Sequence, residues 1–402
     1  MKAANAILAS YGTSVFEVMA RLAREHEAIN LGQGAPGEDG PADVIAAAAA
    51  ALSEHSNQYP PLLGLPEIRE ALAAHDRRFY GLTLDPAREI LITLGATEAL
   101  AVALFALIEP GDEAVLIEPL YDSYLPILRR AGGVPKLVRL EPPDWKLPLD
   151  ALEAAFSERT KLILFNTPMN PTAKVFAPGE LECIAELCRR FDCYAVCDEV
   201  YEHMVFDGRA HVPLMTLPGM RERTVRIGSA GKIFPLTGWK VGFMIAAPDL
   251  LAPLCKTHQF LAFTTPPNLQ RAVAYGLVAH ADDFASMCGE MEKKRDRLAA
   301  GLGRIGFRVL PCAGTFFLTA DFAALGFNGG DDAFCRTITV EAGVSAVPVS
   351  AFYAGAGQGQ GPGPGADGVP AHFARFCFAK QDSVLDEALD RLARYFAGAG
   401  GP

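Results

Sequence analysis

Residues 224–242 read TVRIGSAGKIFPLTGWKVG. A β-like run, 224–228, leads into Ser229-Ala230-Gly231-Lys232, and an apolar strand begins after Thr237-Gly238-Trp239-Lys240. Lys232 therefore sits in a loop between two strands, off the helical faces where most lysines are solvated. Its small neighbours let backbone and a bulky ligand approach closely. A lysine amine becomes a covalent catalyst when it is partly desolvated and near other cations, because both lower its pKa. Arg226 and Lys240 are the cations nearest in sequence. The alternative is a surface lysine in a Gly-rich turn, and the flanking sequence decides between the two.

Moving outward, strand-like and helix-like segments alternate. Strands are expected at 89–94, 114–117, 134–140, 162–165, 194–197, 225–227 and 243–246, with helices at 95–107, 121–131, 149–156 and 178–191 between them. This pattern indicates an α/β fold with a mostly parallel seven-stranded sheet covered by helices on both faces. In such sheets ligands sit beyond the carboxyl ends of the strands. Five of those ends carry polar or aromatic residues: Gly95-Ala96-Thr97, Glu118-Pro119-Leu120-Tyr121, Asn166 to Pro171, Asp198 to Tyr201, and Ser229 to Lys232. Gly95-Ala96-Thr97 joins a strand to a helix N-terminus, whose free N–H groups and dipole favour a phosphate. A plain capped helix is the other reading of that segment.

The ends of the chain differ in character. Residues 14–27 have apolar side chains at helical spacing, with Ser14 as N-cap. Ile29 to Pro36 (INLGQGAP) is a Gly-rich loop: either an ordinary turn, or a place where the Gly34 backbone meets a ligand. Further helices are expected at 41–52 and 65–80. Beyond Gln270 a long helix at 284–302 is followed by short strands at 307–310 and 315–318, a helix at 331–342, strands at 344–349 and 373–378, and a closing helix at 384–396. Residues 354–370 (AGAGQGQGPGPGADGVP) are low in complexity and read as a mobile surface loop.

Composition narrows the function. The 402 residues are 50% hydrophobic and 21% charged, which is globular and large enough for two domains. A net charge of −11 argues against a nucleic-acid binder. No run approaches the roughly 20 apolar residues of a membrane span. The opening residues lack a secretory apolar run, so the cytoplasm is expected. The nine cysteines have no metal-ligand spacing and read as buried thiols, with no metal implied.

Three stretches taken together are specific: Asn166-Thr167-Pro168-Met169-Asn170-Pro171-Thr172, Asp198-Glu199-Val200-Tyr201, and Ser229-Ala230-Gly231-Lys232 with Thr237 to Gly242. They resemble the fold-type I, pyridoxal-phosphate-dependent aminotransferases of the aspartate aminotransferase superfamily. INLGQGAP, GATEAL, HQFLAFTTPP (258–267) and Arg375-Phe376-Cys377-Phe378 resemble its kynurenine/glutamine/methionine aminotransferase group. The resemblance runs from about Thr13 to Phe396. It implies a large pyridoxal-phosphate-binding domain over 36–281, and a smaller α+β domain from 1–35 and 282–402 that closes on the substrate.

The same resemblance implies roles residue by residue. Lys232 holds the cofactor aldehyde as an imine, then moves a proton as base and acid. Asp198 faces the pyridine nitrogen and keeps it protonated. Asn170 and Tyr201 contact the phenolic oxygen, and Tyr121 stacks on the ring. Gly95, Ala96, Thr97, Ser229 and Lys240 meet the phosphate. Tyr59 is lent by a second subunit, which implies a homodimer with composite sites. Arg375 grips the substrate α-carboxylate, with Gly34 offering its N–H and Asn166 supporting from behind. Lys240 departs from the arginine of many relatives, and Met169 from a small polar residue. Phe16, Phe260, Phe352 and Tyr353 are candidate walls of an apolar substrate pocket, favouring methionine, glutamine, phenylalanine or kynurenine over aspartate as donors. A carbon–sulfur β-lyase on the same fold would share every cofactor residue, and a non-catalytic pyridoxal-phosphate-binding regulator is the alternative outside enzymes.

Overall fold

The computed structural model describes residues 2–34, 36–354 and 368–399. Its centre is a seven-stranded sheet. In chain order the strands are β1 (Ile90–Leu94), β2 (Glu113–Glu118), β3 (Val134–Arg139), β4 (Thr160–Asn166), β5 (Tyr194–Asp198), β6 (Thr224–Ser229) and β7 (Val241–Ile245). Across the sheet they run β1-β7-β6-β5-β4-β2-β3, and β7 alone lies antiparallel to its neighbours.

Two-sided burial explains the near-continuous apolar strands. Val115, Ile117, Ile163 and Phe165 enter one core with Leu181, Ile184 and Cys188 of the Pro178–Arg190 helix. Their alternates Ala114, Leu116, Leu162 and Leu164 enter another, with Leu100 and Leu104 of the Gly95–Leu107 helix. Strand β3 is an edge strand. It is only partly buried and holds Pro135, whose missing N–H is tolerated there.

A separate core joins Met19 of the N-terminal helix (Val15–Glu25) to Leu298 and Leu302 of the long helix Phe284–Ile305, and to Phe316, Phe376 and Leu385. A four-stranded sheet lies within it, with Phe373–Cys377 paired to Phe317–Asp321 on one side and to Val347–Pro348 on the other.

Several segments differ from expectation. The run 344–349 is two pieces. Val344–Ser345 pairs in parallel with Ile29–Asn30, and Val347–Pro348 joins the four-stranded sheet, so the chain changes sheets at Ala346. The helix at 331–342 widens from α (Asp331–Thr337) to a π turn (Ile338–Ala342), which Gly343 ends at φ 68°. The helix after Tyr121 starts only at Tyr124. The strand expected at 315–318 is Phe317–Asp321, because Thr315 takes a left-handed φ of 67°. Helices Pro248–Leu261 and Pro267–Ala279 escape the strand-helix reading: each opens on a proline that favours a helix start, but the first has Pro253 in its interior and both have a weak apolar stripe. Of the loop 354–370, residues 355–367 lie outside the described residues. No helix among the described residues is long and apolar enough to cross a membrane.

Candidate active site

Three adjacent parallel strands deliver polar residues to one edge. Asn166 ends β4, Asp198 ends β5 and Ser229 ends β6, and the register aligns Asn166 with Asp198. Beyond Ser229 the chain turns into a single helical turn, Ala230–Ile233, so Lys232 lies on a short helix and not in the expected open loop. Gly231 permits this turn: a Cβ there would stand 3.0 Å from the Thr237 Cα.

These ends surround a cavity of about 720 Å³, open to solvent. Gly95, Ala96, Thr97, Tyr121, Asn170, Asp198, Tyr201, Ser229, Lys232 and Lys240 line it, together with Asn166 and Thr237. Gly34 and Arg375 stand beside the cavity and off its wall. Tyr59 is elsewhere: it is 83% exposed, with its ring edge-on to Phe263 at 5.5 Å.

One end of the cavity is an anion cup. The Gly95–Leu107 helix begins there, and its first N–H groups have no intrahelical partner. Gly95 has φ +71°, and a Cβ on it would meet Lys240 Nζ at 3.2 Å. A Cβ on Gly242 would stand 2.5 Å from the Gly95 carbonyl carbon, so β7 presses against the helix start. Both glycines are sterically required, and together they bring the Lys240 amine to the helix N-terminus.

The opposite end holds Asp198. Tyr124 donates its hydroxyl to Asp198 Oδ2 at 2.6 Å, and both residues are buried. Asp198 Oδ1 is buried with no hydrogen-bond partner. Burial raises this carboxyl to about 6, against the lowering effect of Tyr124 and of the nearby Lys232 charge. Lys232 lies between the two ends, with its amine 3.4 Å from the Gly34 carbonyl oxygen and over the faces of Phe316 and Tyr201. Burial pulls this amine down to about 8, and the charges of Arg375 and Lys240 add to the shift. Arg226 is not one of those cations. It is wholly buried behind the sheet, paired with Asp76, Glu199 and Glu202. Of the two sequence neighbours, Lys240 acts on Lys232 and Arg226 does not; Arg375, distant in sequence, takes its place.

A relay of hydrogen bonds ties the two halves of the site. Asn166 Nδ2 donates to the Asp198 carbonyl oxygen at 2.7 Å, and Asn166 Oδ1 accepts from the Asn170 backbone N–H at 2.7 Å. Asn170 Oδ1 in turn accepts from Arg375 Nη1 at 2.7 Å. Arg375 also donates through Nη2 to the Gly32 carbonyl oxygen, while its Nε has no partner. Its guanidinium lies 3.8 Å from the Phe317 ring centre and 5.1 Å from those of Phe16 and Phe352. With no carboxylate against it, burial draws it down to about 10.

Of the four expected wall residues, Phe16 and Phe352 thus flank Arg375. Phe260 is 83% exposed, and Tyr353 packs in a core away from the cavity. Tyr124 and Phe317 were not anticipated. Tyr124 carried a usable signal, since it stands three residues after Tyr121, at the start of the helix that follows the strand end. Phe317 had none, because its role arises from a sheet pairing far along the chain.

An orphaned buried carboxylate oxygen facing a half-buried amine, with an anion cup beyond, suits a flat cationic ring that carries both an aldehyde and a phosphate. The class so defined is a lysine-dependent enzyme of the doubly covered α/β type. Residues 26–392 match the family model "Aminotransferase class I and II", and the chain belongs to that family. It is 43% identical to a probable N-succinyldiaminopimelate aminotransferase of Mycobacterium tuberculosis, over 96% of this chain and 97% of that one. It is 37% identical to the methionine aminotransferase of Escherichia coli, over 96% of each. A solved structure of N-succinyldiaminopimelate aminotransferase from Mycobacterium tuberculosis superposes with a TM-score of 0.92 at 42% identity, covering 98% of this chain and 100% of that one. The protein is a pyridoxal 5'-phosphate-dependent aminotransferase that moves an amino group from an amino acid to a 2-oxo acid.

Proposed function

We propose that Lys232 is the covalent anchor and the proton carrier, and that Asp198, Asn170, Tyr201 and Tyr121 hold the cofactor ring against it. The observation that carries this reading is the pairing of a Lys232 amine lowered to about 8 with the buried, unpartnered Oδ1 of Asp198 in one cavity. When bound, pyridoxal phosphate supplies an aldehyde that condenses with amines and a protonated ring that withdraws electrons from the substrate α-carbon.

The residues do the rest. Asp198 Oδ1, buried without a partner, would face the ring nitrogen and hold its proton there. Gly95, Ala96, Thr97, Ser229 and Lys240 take the phosphate with backbone N–H groups, hydroxyls and one point charge. Arg375 takes the substrate α-carboxylate with the donors left over from Asn170 and Gly32, helped by the Gly34 backbone. The Lys232 amine removes the α-proton and delivers it one atom further along, as base and then acid.

The donor we propose is an uncharged L-amino acid of the sulfur-containing, aromatic, apolar or glutamine-like kind. Among the described residues, Lys232 and Lys240 are the only cations lining the cavity, and Phe16 and Phe352 stand beside Arg375. Relatives named for methionine and kynurenine support this choice. The test is a donor panel, with N-succinyldiaminopimelate and aspartate included, read by conversion of the bound cofactor to its amine form. Methionine-like, aromatic and glutamine donors should lead. Aspartate or N-succinyldiaminopimelate leading would overturn the choice.

We also infer a cytoplasmic homodimer in which Tyr59 completes the partner's site. Tyr59, Phe260, Leu261, Phe263, Tyr275 and Val278 are exposed large apolar residues on adjoining segments, an arrangement that fits a protein interface.

A further inference from the structure

Behind the sheet edge lies a buried polar knot that the transamination chemistry does not use. Arg226 donates through Nε to Glu199 at 2.7 Å, through Nη1 to Asp76 at 2.6 Å, and through Nη2 to Glu202. Three carboxylates meet one guanidinium in an environment with no exposure to water, and His211 Nε2 lies 2.9 Å from Glu199 Oε2. Buried carboxylates in excess of their cations are costly unless positive groups join them.

Three further features gather on its Glu202 side. His75 Nε2 and His203 Nε2 face each other at 2.7 Å. Their nitrogens and a Glu202 carboxylate oxygen all lie within 4.8 Å of one another. Glu202 is 3% exposed; its Oε2 is taken by Tyr80 at 2.6 Å and by Arg226, while its Oε1 is buried with no partner.

We propose that His75, His203 and Glu202 form a binding site for one zinc-class divalent cation, held by two imidazole nitrogens and one carboxylate oxygen. Two nitrogen ligands favour a first-row transition metal over magnesium or calcium. The donor set matches a three-ligand zinc centre with an open fourth position. His203 is half-buried and lines a cavity with Met204, Met287 and Cys288, which gives the cation an entry path. The supporting groups around the ligands are in place. His75 Nδ1 is 3.0 Å from Asp76, which is itself fixed by Arg226, and this carboxylate–histidine arrangement orients metal ligands and strengthens them. Phe284 stacks on His203 at 4.3 Å and Phe79 packs on His75 at 4.8 Å, holding both rings. As the cation binds, the Nε2 proton of His203 moves to its Nδ1, so that both Nε2 lone pairs face the metal and both rings stay neutral, and their separation opens to about 3.3 Å, the spacing of two nitrogens in a tetrahedral zinc site. The cation's charge then adds to that of Arg226 against the three carboxylates. The bound cation ties the Pro66–Tyr80 helix to the segment that carries Tyr201.

The experiment uses the holoenzyme, freed of metal with a chelator and titrated with Co²⁺ and with Zn²⁺. The expected result is one cobalt per chain, with the visible bands of a four-coordinate nitrogen/oxygen site and no thiolate-to-cobalt band. Zinc should raise the unfolding temperature. His75→Gln and His203→Gln should each weaken binding by at least about 100-fold, more than loss of an outer supporting group does, while Cys288→Ser should leave it unchanged. No stoichiometric uptake by the wild-type protein would overturn the site, whatever the variants do. So would a thiolate band, or undiminished binding in both histidine variants.

Discussion

The hydroxyl of Tyr124 is 2.6 Å from Asp198 Oδ2 and is the donor that keeps this buried carboxylate ionisable. Tyr124→Phe removes it. The Asp198 carboxyl should then rise above about 6, and each unit of rise costs up to tenfold in the ionised fraction below the new value. Cofactor retention should fall roughly 3- to 10-fold near neutral pH, with its acid limb moved upward. Dissociation constants measured across pH check this; an unmoved limb would mean that Tyr124 serves packing alone.

Asp198 should also cost the cofactor-free protein stability. Its carboxyl titrates near 6 when folded and near 4 when unfolded, so the folded state holds the extra proton between those values. Stability therefore falls as pH rises from about 4 to about 6, then stays lower by about 3 kcal/mol. Asp198→Asn should make the cofactor-free protein more stable at pH 7 and no more stable at pH 4, while holding the cofactor poorly. Denaturant unfolding at both pH values checks the sign.

Much of this site was legible in the sequence because strand ends are. Asn166, Asp198 and Ser229 each end an apolar run, and a parallel sheet brings such ends into line. The Gly95 turn was legible for the same reason. What escaped arises from contacts distant in sequence. Arg226 looked like a neighbour of Lys232, but alternation along β6 turns it away into a carboxylate cage. Arg375 reaches Asn170 across 205 residues. The split of 344–349 between two sheets depends on Ile29–Asn30 and Phe373–Cys377, which no local pattern reveals.

Arg375 should discriminate through its fork as well as its charge. Arg375→Lys keeps the charge and loses the paired geometry and the stack on Phe317. KM for amino donors should rise by about 10- to 150-fold, equivalent to about 1.5–3 kcal/mol, with kcat less affected. Steady-state kinetics check it, and an unchanged KM would place the carboxylate grip elsewhere.

Phe260 is 83% exposed, and its chain neighbours Leu261 and Phe263 are exposed as well. If this face joins two copies, Phe260→Glu should shift the protein from dimer to monomer and lower activity, since Tyr59 could no longer reach a partner's site. Light scattering at micromolar concentration checks the mass. A variant that remains a dimer would remove this face from the interface.

The most direct test of the account is to reduce the holoenzyme with borohydride and map the cofactor-modified peptide by mass spectrometry. The half-buried amine with a pKa near 8 predicts a single modified residue, Lys232, and faster loading of the cofactor as pH rises through about 8. Lys232→Ala should carry no label and no turnover. A label on any other lysine, or none on a protein that still turns over, would contradict it.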